Sequence, residues 1–336
     1  MKNILYIGNK LSKSGKTETT IETLSKKLSL EGYSVFTFSN KKIKLLRLFD
    51  MLFAILKYAK KVDYVLIDTY STSNFYYAYL CSQLCRFLKL KYVPILHGGN
   101  LPNRLKSSSK LSRAVFKNAH INIAPSVYIQ SEFEKHGYSN LVHIPNSINL
   151  HNYSFKERDY ETIKLLWVRS FSEIYNPFLA VEILKLLLDE GIHASLCMVG
   201  PDNDGSLQKT IDYAKKMGVE VTFTGKLSKP DWIKLSKDYN LFINTTNFDN
   251  MPVSIVEAMA LGLPIISTNV GGMSFLIEND REGILVTPNS AIAFVSAIKT
   301  LQLSHKNTNR MSLKARRKAE NYDWDVVKNL WISVLQ

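Results

Sequence analysis

Asp249 to Gly272, DNMPVSIVEAMALGLPIISTNVGG, reads as a turn, a helix and a strand in one unbroken run. Leu241 to Thr246, LFINTT, precedes it as a short apolar segment of strand type. Pro252 sits at a favourable first helical position, and Gly262 with Pro264 marks the stop. Asp249 therefore falls in the loop and Glu257 in the helix. A helix start leaves backbone N–H groups without internal acceptors and carries a partial positive charge. The turn formed by Asn250, Met251, Pro252, Val253 and Ser254 is thus suited to hold a phosphate without a basic side chain. Glu257, about one turn in, is placed to accept from a pair of sugar hydroxyls. The same spacing also fits an ordinary strand–helix–strand unit with an acid at each end.

Outward from this segment, strands alternate with helices along the whole chain. The first half holds candidate strands at Ile4–Gly8, Tyr64–Asp68, Tyr92–His97, Ile121–Ala124 and Val142–Pro145. The second half continues with Leu165–Arg169, Ser195–Gly200, Val219–Gly225, Leu241–Asn244, Ile265–Thr268 and Ile284–Val286. Periodic helical stretches separate most of them. This pattern predicts an α/β protein with two parallel, doubly wound sheets and right-handed crossovers, binding at the carboxyl ends of the strands. A chain of 336 residues accommodates two such domains of roughly 150 residues, each with its own core. The polar segment Ser154 to Thr162 separates the two strand series.

The Asp249–Gly272 run resembles the signature of glycosyltransferase family 4, retaining nucleotide-sugar transferases of GT-B fold. In that signature two acids are separated by seven residues, and the second opens EAMAxGxPxIxTxxGG. Asp249 stands where the family usually has its first Glu, Asn250 replaces the usual Gly, and Glu257 matches the second Glu. The likeness extends to WVRSFSEIYNP (Trp167 to Pro177), HIPNSIN (His143 to Asn149) and REGILV (Arg281 to Val286), and more loosely to LHGGNLP (Leu96 to Pro102). The resemblance implies two Rossmann-like domains facing across a cleft. Residues 1–158 would form an N-terminal acceptor-binding domain, 159–320 a nucleotide-sugar-binding domain, and 321–336 a C-terminal helix crossing back to the first.

The reaction so implied moves a hexosyl-type group from a nucleoside diphosphate sugar to a hydroxyl of a lipid-linked or saccharide acceptor, with retention. The leaving diphosphate gains negative charge as the sugar gains oxocarbenium character, so fixed positive partners are needed on one side and hydrogen bonds on the other. Arg169 suits the first task, because its planar guanidinium binds phosphate oxygens in pairs. Most relatives add a Lys a few residues on, where this chain has Tyr175, so leaving-group stabilisation falls to Arg169, the turn amides or a basic residue such as Lys226. His97, matching the family's strand-end histidine, is assigned to the donor sugar, Asp249 to sugar hydroxyls and Glu257 to the nucleoside ribose. The resemblance implies no metal ion and no cofactor; DND at Asp202–Asp204 has the letters of a cation site but reads as a loop. A catalytically weakened sugar-nucleotide-binding protein of the same fold is the alternative.

Gly8 to Thr17, GNKLSKSGKT, ends like a phosphate-binding P-loop, but six residues rather than four separate Gly8 from Gly15, so the usual nest is out of register. A P-loop-like nucleotide-binding protein is therefore a weaker alternative, and a dehydrogenase weaker still, since no GxGxxG follows the first strand. In the GT-B reading, Gly15 lets the backbone approach the donor closely.

Charge is unevenly spread. Residues 1–160 hold 24 Lys plus Arg against 10 Asp plus Glu, whereas residues 161–336 hold 19 of each, so the whole net charge of +14 lies in the first part. Such asymmetry points to an anionic partner. Lys41 to Lys61, KKIKLLRLFDMLFAILKYAKK, reads as a helix with Leu45, Phe49, Leu52, Phe53 and Leu56 on one face and basic residues at both ends. That pattern fits an interfacial helix meeting anionic lipid, with Lys41, Lys42, Lys44 and Arg47 facing the membrane; a core-facing helix with solvated ends shares it. No nucleic-acid module is present. No apolar run approaches the ~20 residues of a membrane span, and the N-terminal apolar stretch is too short for a secretory signal. The expected location is cytoplasmic, peripheral at the inner face of the cell membrane. Three cysteines suit a reducing compartment, and Cys81 and Cys85, four apart on a helix, have the spacing of core packing rather than of a metal pair.

Overall fold

The computed structural model describes residues 2–11 and 19–336. The chain divides into two compact units, one running to Asn146 and including Val327–Gln336, the other Ser147–Val326.

In the first unit, among the described residues, six strands form one parallel sheet: β1 (Asn3–Ile7), β2 (Ser34–Phe38), β3 (Tyr64–Thr69), β4 (Tyr92–Leu96), β5 (Asn122–Ala124) and β6 (Leu141–His143). Their order is β2-β1-β3-β4-β5-β6. Strand β2 is absent from the sequence expectation. It lies at the sheet edge and all five of its residues are half-buried, so SVFTF lacks the fully apolar run that marks its neighbours. The remaining strands follow the expected positions within a few residues.

The second unit repeats the plan with β7 (Ile163–Val168), β8 (Ala194–Val199), β9 (Thr222–Gly225), β10 (Leu241–Asn244), β11 (Ile265–Thr268) and β12 (Ile284–Val286), ordered β12-β11-β10-β7-β8-β9 and all parallel. The neighbouring strands β10 and β11 are buried along their whole length, as in a sheet covered on both faces, whereas the edge strand β9 is half-exposed. Side chains alternate between two cores: Ile163, Leu165, Trp167, Leu241 and Ile243 pack on one face, and Leu166, Cys197, Phe242 and Ile265 on the other.

Strand order places the sites. The chain leaves β7 for β8 and β9 on one side, then returns to lay β10, β11 and β12 on the other. The β7/β10 junction is therefore a topological switch point, where a crevice opens outside the carboxyl ends of the strands. Arg169 follows β7 directly, and Thr245 to Asp249 follow β10. In the first sheet the corresponding junction lies between β1 and β3, with Gly8 following β1 and Asp68 near the end of β3.

The division between units falls twelve residues earlier than the expected 158/159 boundary. The reason is how Ile148 to Arg158 is held. Ile148 exchanges backbone bonds with Tyr322 and Trp324 (2.9 and 2.8 Å). The buried Arg158 guanidinium donates to the carbonyls of Ser236, Tyr239 and Leu261 at 2.8–3.0 Å. A polar sequence thus belongs to the second core through backbone carbonyls that composition does not reveal. The closing helix, Trp324–Val334, straddles the division; Tyr64 Oη donates to the Gln336 carbonyl at 2.8 Å, and Lys328 pairs with Glu31 at 3.7 Å.

Candidate functional site

At the β7/β10 switch point the side chains of Arg169 and Asp249 form an ion pair, both largely buried. The Arg169 guanidinium also stacks on Tyr175, its carbon 4.0 Å from the ring centroid, and its Nε is buried without a hydrogen-bond partner among the described residues. Tyr175 is held in place by the strands themselves. Thr245 Oγ1 takes the indole N–H of Trp167 at 3.0 Å and donates toward the Tyr175 and Asn176 carbonyls, 2.9 Å each. Asn176 then adopts a left-handed conformation (φ 45°) and Pro177 opens the helix Pro177–Asp189. Tyr175, which replaces the expected lysine, therefore orients the planar guanidinium by stacking instead of adding charge.

Asp249 is fixed from its own loop. Its Oδ1 accepts from Asn250 N at 2.7 Å and its carbonyl accepts from Gly272 N at 2.9 Å. A Cβ on Gly271 would lie 2.0 Å from the Asp249 carbonyl oxygen, and one on Gly272 1.9 Å from that of Asn250. The paired glycines that close the opening sequence run are thus required by the loop that carries its first acid. Asn250 and Met251 are buried in the turn, Pro252 occupies the cap (φ −69°), and the helix runs Val253–Ala260. Pro252 stands one residue earlier than its expected first helical position. In the first turn Ser254 Oγ is buried with no partner among the described residues, beside backbone amides that a helix leaves without an internal acceptor.

Glu257 is buried on this helix. Its Oε1 accepts from Tyr153 Oη at 2.8 Å and pairs with Lys229 Nζ. Burial first, then the Glu257 carboxylate, pushes the Tyr153 phenol well up, so it stays a donor. Neither Tyr153 nor Lys229 was legible as a site residue. The expectation named Lys226, which lies exposed in the turn after β9; the lysine of that segment that meets Glu257 is Lys229, at the start of the helix Lys229–Leu235. The repeated lysines of GKLSK were the one available signal. Asp202 and Asp204 form a loop, as expected. Asp202 accepts from Gly205 N and Leu207 N. For Asp204, burial opposes ionisation, but bonds from Ser172, Ser206 and the Glu173 and Ser206 amides outweigh it and hold the carboxyl at about 2.

In the first unit His97 follows β4, and its Nε2 lies 2.9 Å from Asp68 Oδ1. Tyr6 Oη donates to the same oxygen at 2.8 Å, and Tyr70 lies 5.5 Å from the imidazole, ring to ring. Gly15 lies outside the described residues. Cys81 and Cys85 are buried in the core of the helix Phe75–Phe87.

The amphipathic segment forms a helix over Lys44–Tyr58. Its apolar face is turned outward: Ile43, Leu45, Leu46, Phe49, Phe53 and Leu56 are all exposed. Lys41, Lys42 and Lys44 are exposed beside them. Arg47 corrects the expectation. It is only 6% exposed and its guanidinium points inward, to Asn9 Oδ1 at 3.0 Å and to the Lys41 and Lys42 carbonyls at 2.7–2.8 Å. Two positions before Phe49, and so about 200° round the helix from it, Arg47 falls on the inward side with Met51, Ala54 and Ile55. Leu52, expected on the apolar face, packs half-buried against the core.

Residues 152–318 match the family described as "Glycosyl transferases group 1". The chain belongs to that family. The chain is 25% identical over 148 residues to the sulfoquinovosyl transferase SQD2 of Arabidopsis thaliana, covering 43% of this chain and 28% of that one. It is 26% identical over 159 residues to the Escherichia coli UDP-Gal:alpha-D-GlcNAc-diphosphoundecaprenol alpha-1,3-galactosyltransferase, covering 46% and 40%. The chain thus matches between about a quarter and two fifths of the length of these relatives. In solved structures, the Anabaena protein Alr3699/HepE, determined with UDP and glucose, superposes with a TM-score of 0.79 at 18% identity, covering 100% of this chain and 99% of that one. Sucrose-phosphate synthase from Thermosynechococcus elongatus gives 0.82 at 15% identity, covering 99% and 98%. The fold of the chain is accordingly GT-B.

Proposed function

We propose that this glycosyltransferase transfers a hexosyl-type group, with retention, from a nucleoside diphosphate sugar to a hydroxyl of a lipid-linked or saccharide acceptor. The observation that carries the reading is the Arg169–Asp249 pair at the β7/β10 switch point, next to a helix start whose buried Ser254 hydroxyl has no partner among the described residues. In the reaction the bond from the anomeric carbon to the β-phosphate oxygen breaks, and a bond to the acceptor oxygen forms on the same face. The acceptor's hydroxyl proton leaves on the departing phosphate. Arg169 and the first-turn amides meet the charge that grows on the diphosphate, Asp249 and His97 orient the sugar, and Glu257 holds the ribose. Because Tyr153 and Lys229 both engage Oε1, Oε2 is the oxygen assigned to the ribose diol. Neither metal ion nor cofactor is needed.

The acceptor reading draws on the exposed apolar face of Lys44–Tyr58 and its lysines, which suit an anionic cytoplasmic membrane surface. The name of the Escherichia coli relative includes a diphosphoundecaprenol acceptor, and neighbouring structures were determined with UDP and UDP-glucose. The test is a panel of nucleoside diphosphate sugars scored by thermal shift and then by transfer. A true donor at 100 times its dissociation constant adds about 2.7 kcal/mol to stability. Binding without transfer or hydrolysis would instead identify a sugar-nucleotide-binding protein in which Tyr175 has replaced a needed charge, and binding of ATP alone would overturn the reading.

A further inference from the structure

Asp68 is a carboxylate kept in the core of the first unit at a cost. Its side chain is 1% exposed, and Oδ1 takes both Tyr6 Oη and His97 Nε2. Oδ2 is buried with no partner among the described residues. Gly8 stands so close that a Cβ there would lie 2.3 Å from Oδ2, so even the neighbouring strand end is shaped around this group. An unpaired oxygen in the core is expensive. A neutral amide could accept from Tyr6 equally well. What a carboxylate does and an amide does not is force the proton of a neighbouring imidazole onto one nitrogen, since it accepts and never donates.

We propose that Asp68 is a positioning residue that holds His97 in its Nε2–H tautomer, so that Nδ1 presents a lone pair to a hydroxyl of the transferred sugar. This rests on the assignment of His97 to the donor. The ring has little freedom to do otherwise. His97 N bonds to the Thr69 carbonyl at 3.0 Å, Nε2 is tied to Asp68, and Tyr70 lies alongside. Burial and then Asp68 raise the Tyr6 phenol well above its usual value; burial and then Asp68 do the same to Tyr70. Both tyrosines therefore remain neutral, and among the described residues the carboxylate's other hydrogen bond, from Tyr6, is one it receives. The sugar hydroxyl donates to Nδ1, which pulls electron density toward the ring oxygen's neighbourhood and favours positive charge at the anomeric carbon.

The test uses the full chain labelled with 15N-histidine, at pH 8, where an ordinary imidazole is neutral. Two-bond 1H–15N correlations are expected to show His97 as the Nε2–H tautomer in the native protein, and a mixture in Asp68→Asn. Transfer by Asp68→Asn should fall in kcat by about 10- to 100-fold, the usual loss when a supporting partner of a functional histidine is removed, with donor KM within about threefold. In a His97→Ala background the same substitution should change kcat less than about twofold, because a residue acting only through another is not additive with it. Tyr6→Phe, which spares the Asp68–His97 bond, should keep the native tautomer. An Nδ1–H tautomer in the native protein overturns the proposal, as does an unaltered tautomer in Asp68→Asn or an equal loss of kcat in the His97→Ala background. Should Asp68→Asn not fold, the native tautomer decides alone. Absence of any donor would defeat the functional reading while leaving the spectroscopic result to judge Asp68.

Discussion

Replacing Phe49 and Phe53 together by Ser separates a membrane face from a core face. The two rings are 60% and 64% exposed. Burying a Phe side chain fully is worth about 1.5–3 kcal/mol, so the exposed portions of the pair contribute about 2–4 kcal/mol when they enter the headgroup region. With 1.4 kcal/mol per factor of ten, partitioning onto vesicles should drop by about 30-fold or more. Because the rings touch water in the folded protein, stability should change by no more than about 0.5 kcal/mol. Co-sedimentation with vesicles containing phosphatidylglycerol, alongside a thermal melt, reads both quantities. Lys41, Lys42 and Lys44 changed to Gln should weaken binding by about 1 kcal/mol each, with added salt producing the same trend by screening. A drop in melting temperature with unchanged vesicle binding would refute the reasoning and return the helix to the core. Arg47→Gln provides the contrast: it breaks inward bonds, so it should destabilise the fold.

Three further outcomes follow from individual contacts. Tyr153→Phe removes a hydrogen bond to the buried Glu257 carboxylate and should weaken donor binding and stability by about 1.5–3 kcal/mol together, read by calorimetric titration with the donor and by denaturant unfolding. Gly272→Ala should abolish transfer by displacing the Asn250 carbonyl and with it Asp249, while the circular dichroism spectrum stays native; full activity would show that the loop relaxes freely. Asp204, held at about 2, contributes stability that is present above its unfolded value near 3.8 and lost as pH falls toward 2. Asp204→Asn should therefore flatten the stability curve between about pH 4 and pH 2, and an unchanged acid limb in urea unfolding would contradict the hydrogen-bonded arrangement around it.

The alternation of apolar strands with helical periods determined the two parallel sheets, because a strand buried on both faces must be apolar throughout and a crossover must be long enough for a helix. Local signals of the same kind placed Asp249 in a loop and Glu257 in a helix, since cap and stop residues act over a few positions. An edge strand such as Ser34–Phe38 escaped, having only one neighbour to bury it. The partners of the site were not legible. Tyr153 reaches Glu257 across 104 residues, and Arg169 meets Asp249 across 80. Asp68 and His97 come together only because β3 and β4 lie side by side. The helix Lys44–Tyr58 shows the limit most plainly. Its sequence specified an apolar stripe and basic ends, but an apolar stripe fits a core and a lipid surface equally well. Only tertiary packing decided that Met51, Ala54 and Ile55 turn inward with Arg47, leaving Phe49 and Phe53 in water, because the choice of which face is buried depends on the surface that the rest of the fold presents to it.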